Sequence, residues 1–117
     1  MNKPIVHLSK DLETQIKENI PNKKTCEGLA YFYSIFCDST RLKILIALLL
    51  SEMCVNDLSR LLDLNQTTVS HQLKYLKTSG AVISTRKNKY IFYKVTDKFI
   101  NNIMISGVDF ILNKKTG

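Results

Sequence analysis

The segment from Leu64 to Thr96 restricts the fold more than any other part of this chain. Val69, Leu73 and Leu76 recur at i, i+4 and i+7, the spacing of a helix with one buried stripe. Asn65 precedes this run as a cap, and Gly80 follows it where a left-handed C′ residue belongs, which predicts a helix over 66–79. Two runs rich in β-branched and aromatic residues come next, Val82–Arg86 and Tyr90–Val95. They flank Lys87-Asn88-Lys89, which reads as a hairpin tip. The same segment carries Lys74, Lys77, Arg86, Lys87, Lys89 and Lys94 and no carboxylate, so it holds six of the chain's net +7 charges. A one-signed surface of this kind suits a polyanion. A DNA duplex accepts a polar-faced helix in its major groove with a hairpin beside it.

The remaining elements are predicted from caps and apolar spacing. Residues 1–8 are expected to form a flexible N-terminal arm. Ser9 can cap a short helix with Asp11 and Glu13 in its first turn, ended by Pro21. Asn22 can cap a second helix running to about Phe36, with Leu29, Phe32, Ile35 and Phe36 spaced as a buried face. Asp38 or Ser39 starts a third helix, Thr40 to Leu50, apolar almost all round and so expected at the centre of the core. A short helix over Val55–Leu62 should turn Leu58, Leu61 and Leu62 inward. Thr96 or Asp97 caps a last helix, assigned over 97–113 as a dimerisation helix. Ile100, Ile103, Met104, Val108, Ile111 and Leu112 form one stripe of it, and Phe99 and Phe110 a second. Two apolar faces exceed what one small domain covers, so a homodimer is expected through this helix and the Leu29–Phe36 helix. At 117 residues the chain is long enough for one domain with a small core, taken as 1–117.

Several classes are disfavoured by what the sequence lacks. It has two histidines and no Gly-rich phosphate loop, nucleophile elbow or HExxH motif, so no catalytic constellation is apparent. The longest apolar run, Ile44–Leu50, is too short to span a bilayer, and Met1–Ser9 lacks the apolar stretch of a signal peptide. Three cysteines, Cys26, Cys37 and Cys54, form no disulfide-like framework, which favours a reducing compartment and a cytoplasmic reading. RNA is less suited than DNA because no stacking aromatics line the basic helix. A winged-helix protein-interaction module stays open beside a DNA reader; charge reversal at Lys87 and Lys89 should spare the former and disable the latter.

For a DNA reader, the candidate contacts divide by chemistry. Gln66, Thr67 and Thr68 open the recognition helix and can bond base edges or phosphate; Ser70, His71 and Lys74 continue the exposed face. Lys74, Lys77, Arg86, Lys87 and Lys89 suit phosphate, which sets register and not sequence. His71 also fits a packing or capping role, and the hairpin lysines also fit a solvated tip.

Three motifs in order resemble the ArsR/SmtB family of metalloregulators across residues 29–113. They are Phe36-Cys37-Asp38-Ser39-Thr40-Arg41-Leu42-Lys43-Ile44-Leu45, Ser51-Glu52-Met53-Cys54-Val55-Asn56-Asp57-Leu58, and Gln66 to Lys77 as recognition helix. Tyr90–Val95 resembles the family's second wing strand. The resemblance implies a mainly α winged helix-turn-helix fold with a β-hairpin wing. It also implies a homodimer joined through N- and C-terminal helices, and a transcriptional repressor that an inducer releases from double-stranded operator DNA.

The resemblance also implies where an inducer would bind. The family's pattern in the terminal helix falls here on Asp97, Phe99, Phe110 and Asn113; phenylalanine donates nothing to a metal, so that site is not expected. The other family site joins the N-terminal arm of one subunit to the third helix of its partner, and falls on His7, Asp11, Cys54 and Asp57. Such a set suits Zn²⁺ or a similar divalent metal and lacks the thiolates that favour cadmium or lead. Cys54 also fits a core thiol, and Asp57 a first-turn helix acid. A thiol-based response to oxidants, sulfur species or arsenite is the alternative, with Cys37 and Cys54 as candidates. Cys26 and Cys37 are otherwise expected as buried, inert thiols.

Overall fold

The computed structural model describes residues 7–96 and 98–116, with side chains not described at 98, 99 and 114–116. Residues 1–6 of the expected arm, the candidate cap Asp97 and the Phe99 side chain lie outside the described residues. The chain divides into two units at Ser34.

The first unit holds α1 (Lys10–Asn19) and α2 (Lys23–Ser34). Ser9 Oγ accepts from Leu12 N at 3.2 Å, and Asn22 Oδ1 accepts from Thr25 N at 2.9 Å, so both predicted caps form. Neither helix has a buried residue in the single chain. The expected end of α2 near Phe36 is corrected: the helix ends at Ser34, which leaves Ile35 and Phe36 in the turn that follows. Of the expected face, Ile35 is buried, Phe32 and Phe36 are half-buried, and Leu29 is exposed in the single chain.

The second unit holds α3 (Ser39–Leu50), α4 (Val55–Leu62), α5 (Gln66–Thr78), β1 (Val82–Lys87), β2 (Tyr90–Val95) and α6 (Lys98–Thr116). Asp38 caps α3 through Arg41 N at 2.9 Å. Its core is Ile44, Leu45 and Leu48 of α3, Leu58 of α4, and Val69, Leu73 and Leu76 of α5. Ala81, Val82, Ile100 and Met104 close it, and Ile35 joins it. The helix α3 packs against both α4 and β2, which is the central place its apolar composition predicts. It is not buried all round, however: Leu50 is 84% exposed at its last turn. The expectation for α4 is also corrected. Leu58 is fully buried, but Leu61 is 60% exposed because the core meets only the side of this short helix that bears Leu58.

The turn from α4 to α5 is short and locally determined. Asp63 adopts the left-handed region (φ 54°), Leu64 N donates to Ser59 O at 3.0 Å, and Ser59 Oγ donates to Leu64 O. Asn65 Oδ1 then accepts from Thr68 N at 2.7 Å to start α5. At the other end Gly80 N donates to Lys77 O at 3.1 Å and Ala81 N to Leu76 O at 2.9 Å. This is a Schellman closure, and it requires the φ of +83° that Gly80 supplies.

The two strands pair antiparallel from Val82↔Val95 to Lys87↔Tyr90. The turn is therefore Asn88-Lys89, two residues and not three, and Asn88 takes the positive φ (59°) that a two-residue hairpin turn needs. Lys87 belongs to the strand. Met53, just before α4, adds a pairing that sequence periodicity does not reveal: its N–H and C=O both bond Tyr93 of β2, at 3.1 and 2.9 Å.

On α6, Ile100 and Met104 are buried, whereas Ile105, Val108, Phe110, Ile111 and Leu112 are exposed. An apolar groove of about 430 Å³ runs between α3 and α6, lined by Phe36, Leu42, Ile46, Met104, Val108 and Ile111 among others. Among the described residues no helix is long and apolar enough to cross a membrane.

Candidate nucleic-acid interface

The buried stripe of α5 fixes which of its residues face water. With Val69, Leu73 and Leu76 at 0–1% exposure, Gln66, Thr67, Ser70, His71, Lys74 and Lys77 are left on the outside. Thr68 is half-buried, and its backbone N–H serves the Asn65 cap. Arg86, Lys87 and Lys89 are exposed on the hairpin. The predicted contacts thus occupy the open faces of two neighbouring elements, since α5 packs directly against β1.

The hairpin is held to α5 at its base. Thr96 N donates to Ala81 O at 3.0 Å, and Thr96 Oγ1 donates to Gly80 O at 2.8 Å. On the other side α5 is braced by Arg41. Its Nε donates to Gln72 Oε1 at 3.0 Å, its Nη1 to Ile35 O at 3.3 Å, and its guanidinium lies 3.8 Å from the centroid of the Tyr75 ring. A cation over a ring whose head group also donates two hydrogen bonds suits arginine better than lysine.

Two of the expected contacts carry partners that the sequence does not announce. The Lys87 ammonium forms an ion pair with Glu52 and sits 5.3 Å from the Phe92 ring centroid. Gln66 Nε2 donates to Asn56 Oδ1 at 2.6 Å, which ties the first residue of α5 to the first turn of α4. Glu52 and Asn56 are neighbours of the candidate contacts that sequence reasoning missed. Both contacts are non-local, and no spacing rule finds them. The signal available for Arg41 was its place in the first motif.

Of the candidate inducer ligands, Cys54 and Asp57 come together: Cys54 Sγ donates to Asp57 Oδ2 at 3.3 Å, on one turn of α4. Asp57 Oδ1 also lies 3.6 Å from Arg60 Nη2, in an exposed pair worth little on its own. His7 and Asp11 are exposed and belong to the first unit. Among the described residues no three His, Cys, Asp or Glu side chains converge as a metal site. Cys26 and Cys37 are exposed and Cys54 half-buried, none in a disulfide. The expectation of buried packing for the first two is corrected. Cys26 rides on a helix without a buried face, its Sγ 3.4 Å from Pro21 O, and Cys37 sits in the loop before α3. A cleft of about 420 Å³ opens between α4, the start of α5 and the hairpin tip, where Cys54, Asn56, Gln66, Lys89 and Tyr90 meet.

Comparison with known proteins agrees with this geometry. Residues 38–84 match the model of the bacterial regulatory protein, arsR family. The cadmium resistance transcriptional regulatory protein CadC of Listeria innocua serovar 6a is 34% identical over 107 residues, covering 91% of this chain and 89% of the relative. The transcriptional repressor SmtB homologue of Synechocystis sp. is 28% identical over 102 residues, covering 87% and 76%. Among solved structures, the homodimeric winged helix-turn-helix DNA-binding domain Mb0332 of Mycobacterium bovis superposes with a TM-score of 0.68 at 21% identity, covering 82% of this chain and 90% of that one. The capped α4–α5 pair, the hairpin beside it and these likenesses place the chain in the arsR family of bacterial regulatory proteins, as a DNA-binding transcriptional regulator of winged helix-turn-helix fold and not an enzyme.

Proposed function

We propose that the chain is a homodimeric repressor that grips operator DNA with α5 and the hairpin wing and lets go when a divalent metal ion binds. The observation that carries the DNA half is the open face of α5 and the wing, basic and without a carboxylate of its own from Leu64 to Thr96. Gln66, Thr67, Thr68, Ser70 and His71 face base edges; Lys74, Lys77, Arg86, Lys87 and Lys89 face phosphate. With about six phosphate contacts per dimer, log affinity falls against log salt with a slope of about −5. The homodimer is supported by the uncovered apolar residues of α6, Ile105, Val108, Phe110, Ile111 and Leu112, which a second copy would bury.

The inducer half rests on Cys54 and Asp57, which present a thiol and a carboxylate 3.3 Å apart. That pair fits half of a tetrahedral Zn²⁺ site, which His7 and Asp11 of the second subunit would complete. Cys54 would serve there as the thiolate, its proton released to solvent, and Asp57 would give up its contact with Arg60. A coupling of about 1–3 kcal/mol between the two sites lowers operator affinity about 5- to 150-fold. The name of one relative, the cadmium resistance transcriptional regulatory protein CadC, agrees with a metal inducer.

The test is a mobility shift on the promoter DNA of the chain's own gene, repeated with Zn²⁺, Cd²⁺, arsenite, sulfide and peroxide. Release by Zn²⁺ that is lost in both Cys54→Ser and His7→Ala supports the reading. Binding unchanged by any metal overturns the inducer assignment. A response lost in Cys54→Ser but kept in His7→Ala points to thiol chemistry instead.

A further inference from the structure

We infer that Asn56 determines base specificity without touching DNA, by holding the Gln66 carboxamide in the orientation that reads adenine. The inference rests on the proposed reading of Gln66 as a base contact. Gln66 is the first residue of α5, the end that leads into a major groove, and its side chain is exposed. An unheld glutamine there would lose rotamer freedom on binding and could present its amide either way round. Here Nε2 donates to Asn56 Oδ1 at 2.6 Å across the helix-turn-helix. Asn56 itself is exposed in the first turn of α4, where the helix fixes its Cα and leaves its amide to face α5.

One hydrogen of Nε2 is used in this bond. On this proposal it is the hydrogen anti to Oε1, so the second hydrogen and Oε1 remain side by side as one donor and one acceptor. Adenine offers the complementary pair in the major groove, an N7 acceptor and an N6 donor. Guanine offers two acceptors, so its O6 would face Oε1 with no hydrogen between them. Asn56 thus pre-orients Gln66 as a positioning residue, and holding the amide before binding favours the matched base over the others.

The experiment measures relative binding of wild type, Gln66→Ala, Asn56→Ala and Asn56→Asp to duplexes with every base substituted singly across one half-site. Melting curves verify that each variant is folded. Gln66→Ala is expected to flatten the preference at one position of the half-site. Asn56→Ala should flatten that same position, by roughly tenfold in the ratio of adenine to guanine duplexes, and no other. Asparatate accepts a hydrogen bond and donates none when ionised, so Asn56→Asp should keep the preference while its added charge weakens all duplexes alike. Full preference retained in Asn56→Ala, or preference lost in Asn56→Asp, overturns the positioning role and leaves the reading of Gln66 standing. No change in Gln66→Ala overturns both. Wild type without preference for any duplex overturns the proposed function as well.

Discussion

The helix-turn-helix with its wing and the terminal helices use the same apolar residue types, yet they close their surfaces in opposite ways. In the former, Ile44, Leu45, Leu58, Val69, Leu73 and Leu76 sit at 0–1% exposure. In the latter, α1 and α2 bury nothing, and α6 buries Ile100 and Met104 while Phe110 is 65% exposed. The first region has its core inside one chain, closed by Ile100 and Met104 of α6. The second has amphipathic faces whose burial needs another surface. With the proposed homodimer, stability of the first would be a property of the chain, and stability of the second would depend on concentration.

The largest effect that tests this contrast is in the core. Leu73→Ala should cost about 2–5 kcal/mol in urea unfolding, since a buried leucine leaves a cavity that the packed helices cannot fill. A cost near zero would show that α5 is not held by its stripe. Next comes Phe110→Glu. It should convert a dimer to a monomer by sedimentation, leave the helical signal of the core in place, and weaken operator binding by about 10²-fold through lost bivalency. A variant that stays dimeric would mean the exposed face of α6 is not the joining surface.

Arg41→Ala should destabilise by about 1–3 kcal/mol, because it removes the bond to Gln72, the bond to Ile35 O and the contact with the Tyr75 ring together. Arg41→Lys should recover little of it, as lysine lacks the planar fork. The smallest effect is at Glu52→Gln. Freeing Lys87 from its ion pair in both protomers should tighten DNA binding about threefold and steepen the salt slope of the dimer by about 1.8. Unchanged affinity would show that Lys87 does not meet phosphate.

What was legible in the sequence was local. The caps at Ser9, Asn22, Asp38 and Asn65, the left-handed Gly80 and the paired strands around Asn88 all follow from rules that act over a few residues. What was not legible depends on contacts between distant segments. The Lys87–Glu52 pair spans 35 positions, the Arg41–Gln72 bond 31, and the Met53–Tyr93 bridge carries no side-chain signature at all. Leu61 was misplaced for a related reason: helical period gives an apolar face its width, but only the neighbours decide how much of that width is covered. The candidate DNA contacts were legible as a face because Val69, Leu73 and Leu76 dictate which side is outward. The pairing of Gln66 with Asn56 was not, since two polar residues ten positions apart match no pattern.

The lacing of the hairpin base has a mechanical consequence. Ala81 is bonded back to Leu76, Thr96 to Ala81 and Gly80, and Tyr93 to Met53, so strand, glycine corner and helix end share one hydrogen-bonded hem. A ribbon sewn in this way cannot swing aside while its helix stays seated in a groove. On the proposed mode of binding, α5 and its wing would therefore meet and leave a duplex as one piece.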